Sequence, residues 1–92
     1  MLKITVEKAT TDTLFILEGS LSGLWVTELH KVIIDSRSMP DVTHLNLDLA
    51  RVHFADEQGL TLLRDLMMWG ATLRAVSPFI QELLKTGHLN KR

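Results

Sequence analysis

Apolar and polar residues alternate from Leu2 to Lys8, with Leu2, Ile4 and Val6 on one side of an extended chain, so this segment is expected to be a strand. Thr10-Thr11-Asp12 supplies small polar residues for a turn, and Thr13-Leu14-Phe15-Ile16-Leu17 follows as a nearly unbroken apolar run. The two segments read as a hairpin, with the second strand inside the sheet and covered on both faces. From Ser22 the period lengthens to that of a helix. Trp25, Leu29, Val32, Ile33 and Ser36 fall on one side, opposite Thr27, Glu28, Lys31 and Asp35. An amphipathic helix capped by Ser22 and running to about Arg37 is therefore expected. Ser38-Met39-Pro40-Asp41 breaks it, and Thr43 to Ala50 alternates again as a third strand.

A second helix is expected from about Glu57 to Gly70, a residue suited to the left-handed turn at a helix end. Its core face is Leu60, Leu63, Leu66, Met67 and Gly70, which leaves Leu62 and Trp69 on a flank and Met68 on the far side. Thr72 to Val76 alternates as a fourth strand. A third helix opens at Ser77-Pro78, with serine as cap and proline where no amide donor is missed, and closes at Gly87.

Successive strand–helix units joined by right-handed crossovers give a mostly parallel sheet of about four strands, with the N-terminal hairpin strand at one edge. Leu45, Leu47 and Leu49 alternate with Asn46 and Asp48, and Thr72 and Arg74 with Leu73 and Ala75. A sheet covered on both faces would be apolar throughout, so the three main helices are expected on one face. The fold class is α/β, and residues 1–92 read as a single domain, because 92 residues with 46% apolar content suffice for one core and not two.

Composition narrows the chemistry. The chain has no cysteine, so disulfides and thiolate metal sites are excluded, and a cytoplasmic setting is expected. The N-terminal alternation is unlike a signal peptide, and no apolar run approaches the roughly 20 residues needed to span a membrane. A formal net charge of −1 offers no field to attract nucleic acid, and the basic residues Lys85, Lys91 and Arg92 read as a solvated end. No cofactor is expected. Gly19 and Gly23 do not form a phosphate loop, lacking a lysine and clustered glycines.

The stretch from Leu45 to Leu60, LNLDLARVHFADEQGL, resembles the core of a STAS domain, the family named for sulphate transporters and anti-sigma-factor antagonists. In that family a strand ending in Asp-Leu-Ser leads to an Asp-Ser-Ser-Gly or Asp-Thr-Gly-Gly turn, whose first hydroxyl residue is phosphorylated in regulatory members. Glu57 occupies that position here. The segment from Leu17 to Ser22 is similar to the family's Leu-x-Gly-x-Leu-Asp, with Ser22 where aspartate is usual. The segment from Val76 to Leu89 is similar to its closing helix and terminal Gly-Leu. The helix between Gly59 and Gly70 looks about one turn shorter than in the family.

The resemblance implies a non-catalytic protein-binding regulatory module without the phosphorylation switch. Its partner class would be an anti-sigma factor, a switch kinase or a sensory complex. An accessory subunit of a lipid-transporting ABC complex is an alternative. Asp56, Glu57, Gln58, Leu62, Met68 and Trp69 are the candidate partner-binding residues, the last three because large adaptable side chains off a core face suit contact with a partner or a second copy. Glu57 has two readings. Either it places a permanent charge where relatives place a removable phosphate, or it is an ordinary first-turn acid behind the N-cap Asp56. Likewise, Leu62 and Trp69 either meet a partner or are covered by a neighbouring helix. A small hydrolase or nucleotide-binding protein is the alternative of another class, since His44, Asp48, His53, Asp56 and Glu57 lie close in sequence. Their spacing matches no recognisable ligand set or nucleophile–base pair.

Overall fold

The computed structural model describes residues 1–9, 11–36 and 44–86. Their elements run β1 (Leu2–Lys8), β2 (Thr13–Leu21), α1 (Leu24–Ser36), β3 (Leu45–Ala55), α2 (Glu57–Met68), β4 (Thr72–Val76) and α3 (Pro78–Thr86). The sheet has the order β1-β2-β3-β4, with β1 antiparallel to β2 and the remaining pairs parallel. This is the expected mostly parallel α/β sheet with a hairpin strand at one edge. The expected break at Ser38-Met39-Pro40-Asp41, the start of β3 at Thr43 and the stop at Gly87 lie outside the described residues.

The alternation in β3 sorts its two faces. Leu45, Leu47 and Leu49 are buried beneath the helices, where they join Phe15, Leu17, Leu21, Leu29, Ile33, Leu60, Leu63, Leu66 and Ile80 in one core. Asn46 and Asp48 point to the other face and are half-buried, and Thr72 and Arg74 are exposed. Leu14 and Ile16 pair with Asn46 and Asp48 on that open face. They are half-buried, so the unbroken apolar run of β2 does not mean that helices cover both sides. Flanking strands shield these two side chains, since Leu14 sits between Glu7 and Asn46, and Ile16 between Thr5 and Asp48.

Both central strands are longer than expected. β2 continues past Leu17 to Leu21, and β3 past Ala50 to Ala55, so His53 and Phe54 stand on a strand instead of in a loop. The extensions hold each other. Glu18 pairs with Arg51, Gly19 with Val52, Ser20 with Phe54 and Leu21 with Ala55, across two register shifts that absorb the mismatch. Buried Leu21, Val52 and Ala55 anchor this part to the core.

Helix ends follow local chemistry. The Ser22 carbonyl accepts the Trp25 amide at the start of α1, and Trp25 packs partly buried against the core, as its spacing predicts. At the end of α2, Gly70 donates to the Met67 carbonyl and Ala71 to that of Leu66, while Gly70 takes the φ of 109° that this closing motif needs. Ser77 joins α3 to the sheet. Its hydroxyl donates to the Val52 carbonyl at 2.6 Å and accepts the Ile80 amide at 3.3 Å, which combines a helix cap with a strand contact.

Candidate functional site

Asp56 follows the end of β3 and serves as N-cap of α2, with its side chain accepting the Gly59 amide at 2.8 Å. The other carboxylate oxygen accepts the Gly23 amide at 3.0 Å, and the Asp56 backbone amide donates to the Leu21 carbonyl. One aspartate thus ties the β2–α1 turn to the start of α2. Charge-assisted bonds of this kind are stronger than neutral ones, so the geometry at the helix start is well fixed. Asp56 is half-buried and both its oxygens are engaged, which makes it the support of the loop and leaves its neighbours to face outward.

Gly59 permits this arrangement. A Cβ at that position would collide with the Leu21 carbonyl oxygen and press on the Leu21 side chain, so the first turn of α2 lies directly against the end of β2. Glu57 and Gln58 remain exposed on the outer side of that turn. The Glu57 carbonyl is taken by the Thr61 hydroxyl at 2.9 Å. Glu57 therefore holds its negative charge at the positive end of a helix, in solvent.

The buried residues of α2 are Gly59, Leu60, Leu62, Leu63 and Leu66. Met67 and Gly70, expected on the core face, are exposed, Met67 at 38%, and of the two readings of Leu62 its 8% exposure favours cover by a neighbouring helix. The cause is a tilt of the buried arc toward α1. Leu62 is drawn between the two helices, and Met67, in the last turn, lies beyond the core. Trp69 and Met68 are exposed at 54% and 76%, as expected for side chains off the core. Trp69 shares a surface with Leu62, and Met68 does not.

Between α1 and α2 runs an open groove of about 480 Å³. Val26, Leu62 and Trp69 form its apolar part. Its polar wall on α2 is Glu57, Gln58, Thr61 and Asp65, and α1 contributes Thr27 and His30. Four of the six candidate residues, Glu57, Gln58, Leu62 and Trp69, thus meet along one groove, Asp56 supports it from behind, and Met68 lies outside it. Sequence reasoning missed Val26, His30 and Asp65. The first two belong to another helix, but Asp65 stands four residues before Trp69 on the same stripe, a signal that was available.

The acids and histidines that cluster in sequence are dispersed. His44 pairs with Asp12 at 3.1 Å near the hairpin turn, and His53 Nε2 lies 3.4 Å from the Ser20 hydroxyl. Asp48 accepts the Ala50 amide on the open face of the sheet. Among the described residues no three His, Asp or Glu side chains gather closely enough to hold a metal ion.

No protein-family model and no curated protein sequence matches the chain. Among solved structures it is similar to the anti-sigma factor antagonist SpoIIAA in its unphosphorylated form, with a TM-score of 0.73 and 21% identity over 91% of this chain and 79% of that one. The fold is that of a STAS domain, as the stretch from Leu45 to Leu60 implied. At this identity the likeness concerns the fold.

Proposed function

We infer that this chain is a non-catalytic regulatory module that binds another protein through the start of α2 and the side of α2 that faces α1. The observation that carries this reading is the rigid mounting of an exposed first turn. Asp56 and Gly59 spend their side chain and their lack of one on fixing that turn, and Glu57 and Gln58 stand free beside a groove ending in a half-exposed tryptophan. Exposed tryptophans next to partly apolar grooves are common anchors of protein interfaces. The likeness to an anti-sigma factor antagonist supports a protein partner, and an anti-sigma factor, a switch kinase or a sensory complex is the partner class proposed. The proposed location is the cytoplasm, and no described helix is long and apolar enough to cross a membrane.

Glu57 gives the module a fixed charge in place of a switch. A glutamate side chain offers no hydroxyl to phosphorylate, so partner affinity at this loop does not cycle with a kinase. Affinity capture from the source organism with the intact chain, read by mass spectrometry beside a Glu57→Lys control, tests the reading. A captured anti-sigma factor, kinase or sensory protein that the control loses supports it. A transporter ATPase would move the module to a transport complex, and absence of any specific partner would contradict a binding role.

A further inference from the structure

We propose that the α1–α2 groove receives an amphipathic helical segment of the partner, with two basic residues about two turns apart beside a short apolar stripe. The inference rests on the binding-module reading and adds the chemistry of the bound segment. Glu57, Thr61, Asp65 and Trp69 follow one another at intervals of four, so they form one stripe along α2 bordering the groove. The lining carries two carboxylates and no lysine or arginine. Glu57 and Asp65 are eight residues apart, about 12 Å along the helix axis. A helix lying alongside would therefore meet a carboxylate roughly every two turns, matching lysines or arginines seven or eight positions apart. Val26 and the edge of Leu62 supply apolar surface beside them, and the exposed Trp69 adds the largest apolar side chain one turn beyond Asp65. An apolar stripe with cations beside it satisfies both features, as in other helix-in-groove recognition. An acidic segment would bring like charges together, and a purely apolar one would strip water from both carboxylates without a partner.

The probe is a displayed library of random peptides of about 15 residues, long enough for the groove and a further turn. It is selected against the full chain, and the winners are titrated as synthetic peptides. The expected winners carry apolar residues at helical spacing and two lysines or arginines about seven or eight positions apart. Asp65→Lys should weaken them about tenfold and Asp65→Asn less, and added salt should weaken binding to the unaltered chain. Thermal unfolding checks that the variants fold. Should Asp65→Lys fail, Thr61→Lys puts a cation on the same wall from an exposed position. Amide shifts on α1 and α2 complete the expected result. Absence of enrichment, winners of acidic or neutral character, or affinity unchanged by either lysine would overturn the proposal. So would a dimer of the chain that Trp69→Ser dissolves, since a second copy would then be the occupant. A partner lost with Glu57→Lys but indifferent to Asp65→Lys would leave the binding module standing and remove the groove. A capture that finds no partner removes the module, while the peptide result still decides the groove.

Discussion

Asp56 and Gly59 define the site because each does something a substitute cannot. Replacing Asp56 by alanine removes the acceptor for Gly59 and the tie to Gly23, and should cost about 1–2 kcal/mol, the usual range for losing a strong N-cap. In a domain of this size each kcal/mol corresponds to roughly 4–8 °C in Tm, which circular dichroism can measure. Asp56→Asn keeps an acceptor oxygen and should lose less. Gly59→Ala is the sharper test. In an exposed helix alanine would stabilise by up to about 1 kcal/mol, but here its methyl group meets the Leu21 carbonyl, and overpacking costs about 1–3 kcal/mol. A net loss in chemical denaturation is expected, whereas a gain would mean that α2 does not press on β2. At Ser77, alanine removes both a cap and the bond to the Val52 carbonyl. The expected loss is again about 1–2 kcal/mol, without effect on partner binding, because Ser77 lies away from the groove.

The elements were legible in the sequence where an unbroken period decides them, but not at the end of β4, where a register shift sets Ala75 opposite Asp48 and brings Val76 to the core in its place. Leu45, Leu47 and Leu49 against Asn46 and Asp48 gave the face of β3 correctly, since a strand's two sides are set by parity. The end of β3 was not legible, because Arg51, His53 and Phe54 resemble a polar loop until Glu18 to Leu21 are known to pair with them. Pairing is a property of two segments. On α2 the hydrophobic arc was wide enough to admit two rotations, and the choice between Met67 and Leu62 fell to α1, whose Val26 lies across from Leu62. Asp56 was readable as a cap, yet its reach to Gly23 spans 33 positions and has no sequence signature. These distinctions assign different outcomes to neighbouring substitutions. Leu62→Ala should destabilise the fold by about 2–5 kcal/mol as a buried truncation, and Met68→Ala should leave unfolding nearly unchanged.

At the scale of the whole molecule, a one-sided sheet leaves one face of β-strand side chains open and stacks three helices on the other, so α1 and α2 are neighbours with their outer edges in solvent. The groove and the first turn of α2 occupy that helical layer. The open face offers alternating polar residues, with Leu14 and Ile16 partly covered, and is less suited to an apolar anchor. Association should therefore depend on the helical layer and not on the open face. If the fixed charge of Glu57 contributes, Glu57→Ser and Glu57→Gln should both change partner affinity on the order of 1 kcal/mol at low ionic strength, and salt should shrink the difference. Equal affinities for all three proteins would leave Glu57 as an ordinary helix-start acid.

Titration of the captured partner against the intact chain and Trp69→Ser, with thermal unfolding of both, bears most directly on the binding role. Affinity should fall by about 2 kcal/mol or more while unfolding changes little, because Trp69 is half-exposed at the mouth of the groove. A variant that is strongly destabilised, yet binds normally where folded, would contradict that role.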